Sequence, residues 1–242
     1  MRFGYALRPA RRQVGLIVLK TDETIEREFR LWMPETVDLL VSRVESGASV
    51  TPESLRAMEA RLTGAAALFP DGADLAAAGY GCTSASAEIG AARVAELVRA
   101  GVKARKVTDP ATALITACRA LRVRRLGLLT PYVEEVSAQL KAVLEAAGIS
   151  VPVLGSFEEA EEARVVRIAP ASTAEAARAL AAEGGIEALF LSCTNLPTLE
   201  IIGPLGAELG MPVLSSNLVL AWHLCRLGGV EPVPEVARAV PG

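Results

Sequence analysis

Two of the four cysteines in this chain, Cys82 and Cys193, stand in matching surroundings. Residues 76–89 read AAAGYGCTSASAEI and residues 188–201 read ALFLSCTNLPTLEI. Each is an apolar run, then Cys-Thr, then a small polar residue and a stretch able to wind into a helix. A cysteine just past the carboxyl end of a parallel strand faces the crevice in which open α/β sheets bind ligands. Unpaired N–H groups and the positive end of a following helix should favour a thiolate there, and a bound carboxylate too. Thr83, Ser84, Thr194 and Asn195 add hydroxyl and amide donors without bulk. The pair can move protons or add to a small carboxylate substrate as a nucleophile.

Other chemistries are poorly supplied. The single histidine, His223, lies in an apolar helical stretch beside Trp222, which reads as a core position. A Ser-His-Asp or Cys-His arrangement, or a transition-metal site, asks for more. The cysteines at 82, 118, 193 and 225 have no CxxC spacing, and the chain is too large to need disulfide staples, so reduced thiols are expected. Cys118 and Cys225 match no motif and read as packing. No metal and no cofactor are expected.

The elements that must position the pair follow from hydrophobic patterning. Apolar runs at 14–19, 39–44, 75–81, 124–130, 151–155, 188–192 and 212–216 predict strands. Helices are predicted over 23–35, 52–68, 87–100, 110–121, 133–147, 172–184, 197–209 and 217–227. Continuous apolar character, rather than alternation, predicts strands buried on both faces of parallel sheets. Cys193 follows Cys82 by 111 residues (193 − 82), close to half of the 242-residue chain, which points to duplication of one α/β unit. The expected division is a first domain over 1–109, a second over 110–214, and a segment 215–242 packing back on the first.

Composition narrows the partners. With 51% hydrophobic residues, 22% charged residues and a net charge of −3, the chain can bury a large core but carries no global cationic field. Neither nucleic acid nor a membrane surface is an expected partner. Arg122, Arg124 and Arg125 read as a solvated loop. Residues 1–12 lack the apolar centre of a secretory signal, and Leu218–Leu227 is far shorter than a membrane span of roughly 20 residues, so a cytoplasmic protein is expected.

The segments GCTSAS, SCTNLPTLE, TPYVEEV and GLIVLKTDETIEREF together resemble the maleate isomerase and arylmalonate decarboxylase branch of the aspartate/glutamate racemase superfamily, over roughly residues 13–228. The resemblance implies two pseudo-symmetric parallel-sheet domains, an active site in the cleft between them, and the two motif cysteines on opposite faces of the substrate. It also implies a homodimer, and a Tyr132 phenol that binds a substrate carboxylate. Arylmalonate decarboxylases keep only the cysteine matched by Cys193, whereas racemases and maleate isomerases use both. The resemblance therefore implies a cofactor-independent two-cysteine isomerase, either a racemase or epimerase of an amino acid derivative or a maleate-type cis-trans isomerase. A decarboxylase, or a non-catalytic binding protein on the same fold, is the alternative.

The departure from the family pattern lies at Asp22. Maleate isomerases usually have Ser-Ser-Asn where this chain has Lys20-Thr21-Asp22. An aspartate there repels a second carboxylate and attracts an ammonium; it can equally cap the helix predicted from residue 23. A second family asparagine, expected ahead of VVRIAP taken as a strand, is missing from EEAEEARVVRIAP. The TDETIE sequence also resembles a subgroup associated with ectoine degradation, which implies a diamino acid or its cyclised or acylated form as substrate.

Overall fold

The structure, a computed structural model, describes residues 1–240. After an extended, exposed N-terminal segment, the first half runs β1 (Arg12–Leu19), α1 (Ile25–Trp32), β2 (Val37–Val44), α2 (Pro52–Ala57), α3 (Glu59–Ala66), β3 (Leu75–Gly81), α4 (Thr83–Ile89), α5 (Ala91–Gly101), β4 (Val107–Thr108) and α6 (Pro110–Leu121). The second runs β5 (Arg125–Thr130), α7 (Glu134–Ala146), β6 (Ser150–Ser156), α8 (Glu162–Val165), α9 (Pro170–Ala182), β7 (Ala188–Leu191), α10 (Ile202–Leu209), β8 (Val213–Ser215) and α11 (Ser216–Gly228), with α12 (Pro234–Ala239) last.

The strands form two four-stranded parallel sheets, ordered β2-β1-β3-β4 and β6-β5-β7-β8. The orders are the same, and the spacing is nearly so. Strands beginning at residues 12, 37 and 75 are followed 113 residues later by strands beginning at 125, 150 and 188. The motif cysteines are only 111 apart because β7 ends sooner than β3, which leaves Cys193 on a shorter stem than Cys82. Leu16, Val18, Leu126, Leu128 and Phe190 have no exposed surface, as strands covered on both faces require.

Helix α11 ties the halves together. Its residues 216–225 are buried on every side, the pattern of a helix enclosed by protein. It packs against α6, β3 and α1, and Gly79 of β3 leaves room for Leu224 and Leu220, the former lying 2.9 Å from where a Cβ would stand. One apolar cluster runs from Val14, Leu16 and Val18 through Leu114, Cys118 and Cys225 to Leu126, Leu128 and Phe190. Cys118 and Cys225 thus lie in the core. His223 is buried with Nδ1 2.8 Å from the Thr108 hydroxyl and its ring stacked on Trp222, and burial lowers its pKa to about 4.

All seven predicted strands are present, and the differences have local causes. The stretch 52–68 is two helices meeting at Met58. The stretch 87–100 is divided at Gly90, whose φ of 90° cannot continue a helix. VVRIAP is not a strand, since Val165 ends the short helix α8. The helix expected from residue 197 starts only at Ile202. Strand β4, two residues long, is too short to leave a period in the sequence.

Candidate active site

Cys82 follows Gly81, where a Cβ would stand 2.8 Å from the Ile25 side chain and 3.2 Å from the Ile17 carbonyl, so the missing side chain lets β3 lie close to its neighbours. With φ −149° and ψ 114°, Cys82 caps α4, and its Sγ accepts the Ala85 N–H at 3.4 Å beside the Ser84 hydroxyl at 3.6 Å. Cys193 is built differently. Its φ is 123°, a value residues with a Cβ rarely adopt. Its N–H donates to Ser216 Oγ at 3.0 Å and its Sγ accepts the Asn195 N–H at 3.4 Å.

The two motifs are laced across the interface. The Thr83 hydroxyl donates to the same Ser216 oxygen at 2.8 Å, and the Thr194 hydroxyl donates to the Gly81 carbonyl at 3.2 Å. These two hydroxyls are therefore committed to protein acceptors, while that of Ser84 lies against Cys82 Sγ. What remains for a carboxylate is backbone: the N–H groups of Thr83, Ser84 and Thr194 have no acceptor among the described residues. Tyr132 shares a buried cluster with Cys82 and Cys193, and burial followed by the two thiols raises its phenol pKa well above the ordinary value.

The Asn195 side chain, expected to meet a carboxylate, is held by protein groups. Its Oδ1 accepts the Glu23 N–H at 2.9 Å, and its Nδ2 donates to Thr21 O at 3.3 Å and to Glu162 Oε2 at 2.9 Å. The Thr24 hydroxyl donates to its carbonyl at 3.0 Å. It is a joint between the halves. Asp22 serves as the helix cap: Oδ1 accepts the N–H groups of Thr24 and Ile25, each at 2.8 Å, while Oδ2 is buried without a partner.

Three residues of the site were not singled out from the sequence. Glu162, inside an acidic run, is 6% exposed beneath Asn195. Ser216 joins the two motifs. Glu28 is buried in α1, where Oε1 accepts the N–H groups of Thr198 and Leu199 and Oε2 accepts from Asn217 Nδ2. A signal for Glu28 was available, because Ile25, Glu28, Phe29 and Trp32 share one helix face and that face is apolar. Burial raises the Glu28 pKa to about 7.

The helix-end argument for thiolates is overturned by desolvation. Burial pushes the Cys82 thiol up to about 12 and the Cys193 thiol well above its ordinary value, with Glu162 and Asp22 adding to the shift. The N–H groups of Ala85 and Asn195 act the other way and are outweighed. All eight predicted site residues are at most 5% exposed. The segment after β2 is tied to the stretch that opens α8: Val50 N–H donates to Ala160 O at 2.7 Å, Glu162 N–H to Ala48 O at 2.9 Å, and the Ser49 hydroxyl to Glu161 at 2.8 Å. Among the described residues, no group of three or more His, Cys, Asp or Glu is placed to hold a metal ion, and no helix is long and apolar enough to cross a membrane.

Comparison with known proteins gives consistent matches. The family model described as arylmalonate decarboxylase (Amdase) matches residues 46–239. A maleate isomerase of Nocardia farcinica is 29% identical over 226 residues, 89% of each chain. An arylmalonate decarboxylase of Bordetella bronchiseptica is 33% identical over 136 residues, 56% of this chain and 55% of that one. Among solved structures, a cysteine-to-serine mutant of the Nocardia farcinica maleate cis-trans isomerase with a covalently bound succinylcysteine intermediate superposes with a TM-score of 0.82 at 27% identity, covering 91% of this chain and 94% of that one. A liganded double mutant of arylmalonate decarboxylase, one exchange introducing a cysteine and the other removing one, superposes with a TM-score of 0.84 at 25% identity, covering 95% and 99%.

Proposed function

Because the chain belongs to the arylmalonate decarboxylase family, we propose that it is a cofactor-independent isomerase in which Cys82 and Cys193 act together on a small carboxylate substrate. The observation that carries this reading is that both motif positions hold a cysteine and that Cys82, Cys193 and Tyr132 belong to one buried apolar cluster. In this reading the free N–H groups of Thr83, Ser84 and Thr194 and the Tyr132 phenol grip the carboxylate. One sulfur takes a proton or adds to the substrate from one side, and the other sulfur handles the proton on the opposite side. A thiol with a raised pKa is well matched to giving up its proton late, to a carbanion. The partner sulfur must be deprotonated for the forward step, so the charge around the pair matters for rate.

Two overall reactions fit this chemistry: inversion at the carbon beside the carboxylate of an amino acid derivative, and cis-trans isomerisation of a maleate-type diacid. Incubation in heavy water with a panel of amino acids and dicarboxylates separates them. Deuterium at the α-carbon marks the first and fumarate the second; neither product from any panel member would refute the isomerase reading. The 33% identity to a decarboxylase supports a second reading, which carbon dioxide release from a disubstituted malonate would establish.

The same proposal treats the chain as a cytoplasmic homodimer, with domains over 1–109 and 110–214 and residues from 215 onward returning to the first. The packing of α11 on β3 and α1 supports the last point. Sedimentation of the purified protein tests the dimer.

A further inference from the structure

Thr83 adjoins Cys82, and a hydroxyl in that place is the natural donor to a carboxylate held by the same turn. It is engaged elsewhere. The Thr83 hydroxyl donates to Ser216 Oγ at 2.8 Å, and that same oxygen accepts the Cys193 N–H at 3.0 Å. A hydroxyl oxygen has two lone pairs, so the acceptor capacity of Ser216 is filled by one group from each cysteine motif. Thr83 is 1% exposed and Ser216 has no exposed surface, which shields both bonds from bulk water.

The two ends of this chain of bonds differ in firmness. Thr83 belongs to a turn that fixes itself: the Cys82 N–H donates to Tyr80 O at 3.0 Å, the Ser86 hydroxyl and N–H both donate to Cys82 O, and Cys82 Sγ accepts the Ala85 N–H. Cys193, with φ at 123°, has a backbone that its surroundings must hold in place. Those surroundings lead back to the first motif. The Thr194 hydroxyl donates to Gly81 O at 3.2 Å, and Asn217, next to Ser216, donates from Nδ2 to Thr194 O at 2.8 Å. The residues on either side of Cys82 thus hold the Cys193 turn, Gly81 directly through Thr194 and Thr83 through Ser216.

We propose that Thr83 is a positioning residue for the opposite cysteine: its hydroxyl fixes Ser216 Oγ, that oxygen fixes the Cys193 N–H, and the firm first turn thereby sets where the strained second one stands. This deepens the two-cysteine reading and rests on it only for the consequence in turnover, because two sulfurs that share one substrate must keep their spacing. A substitution one residue from Cys82 therefore acts on Cys193.

The test is iodoacetamide alkylation of the full chain at neutral pH, with the rate at each cysteine followed by mass spectrometry and expressed as the ratio of Cys193 to Cys82. A general loss of stability exposes both thiols alike and leaves that ratio near its wild-type value, so the ratio separates positioning from loosening of the whole fold. Thr83→Val keeps the shape of the side chain and removes the hydroxyl; it should raise the ratio about tenfold, and Ser216→Ala should raise it at least as much. Thr83→Ser, which keeps the hydroxyl, should return the ratio to the wild-type value. Acceleration at Cys82 equal to or above that at Cys193 in Thr83→Val would show a hydroxyl that acts locally. A response in Ser216→Ala but none in Thr83→Val would show a support that Thr83 does not reach, and Cys193 as slow as wild type in both would show no positioning; each of the three overturns the relay. If the ratio responds as expected while Cys82→Ser and Cys193→Ser still catalyse α-proton exchange, the two-cysteine reading fails and the relay stands.

Discussion

Cys82 and Cys193 share a Cys-Thr sequence and occupy equivalent places in two sheets of the same order, yet they are held by different means. Cys82 is positioned locally. Its backbone is relaxed, the helix begins at the next residue, and its own sulfur closes the first turn. Cys193 is positioned from a distance. The chain after it stays non-helical through residue 201, its φ is 123°, and its place depends on Ser216 of α11 and on the segment that Glu28 grips at Thr198 and Leu199. A backbone of this kind costs about 1–3 kcal/mol and persists only where the surroundings over-determine it. One half-site is therefore a property of a short stretch of sequence, and the other is a property of the assembled fold.

The largest expected effect erases the contrast. Cys82→Ser and Cys193→Ser should each lower turnover by on the order of 10³, and the double variant should be no worse than either single one, because the two thiols act as a unit. Initial rates on whichever substrate shows exchange would check this. Substantial activity in Cys82→Ser alone would favour the decarboxylase reading.

Glu28→Ala should expose the asymmetry directly. It leaves the N–H groups of Thr198 and Leu199 and the Asn217 amide without their acceptor, at a cost of about 3–5 kcal/mol in urea unfolding. In the folded variant, iodoacetamide labelling followed by mass spectrometry should show faster alkylation at Cys193 and an unchanged rate at Cys82. Equal acceleration at both would sink the distinction.

Acidity adds a further handle on the same half. The Glu28 carboxyl has a pKa of about 7 in the fold against 4.5 in an unfolded chain. The native state thus holds the extra proton between those values, and the stabilisation is complete below 4.5 and lost as pH rises through 7. Comparing wild type with Glu28→Gln isolates this group from His223, whose lowered pKa acts in the opposite sense. Their stability difference should change by up to about 3 kcal/mol across that window and be flat above it.

The smallest effect has opposite signs at the two cysteines. Cys82→Gly removes a helix cap and loosens a relaxed backbone, while Cys193→Gly relieves a strained one. Cys193→Gly should be the more stable of the two by about 1 kcal/mol in thermal unfolding.

The same division explains what was legible in the sequence. The strands, their parallel order and the Cys82 turn follow from local runs: seven apolar segments and a Cys-Thr ahead of a helix-forming Ser-Ala-Ser-Ala. Tyr132 came through the TPYVEEV motif. The Cys193 half was legible only as a copy of the first. Nothing in SCTNLPTLE announces that its helix waits until Ile202, because Glu28 and Asn217, far away in the chain, hold the intervening segment. Asn195 has the composition of a ligand-binding amide and spends it on Thr21, Glu23 and Glu162. The thiolate expectation failed for a similar reason. A helix end is visible in sequence, whereas the depth at which the sulfur is buried is not, and depth carries the larger effect on its pKa.

The hydrogen bonds that join the segment after β2 to the one that opens α8 have a mechanical meaning. Glu162 donates its own N–H to the Ala48 carbonyl while its side chain accepts from Asn195. Glu162 therefore couples the segment after β2 to Asn195, so a displacement of either one disturbs the hydrogen bonding of the other.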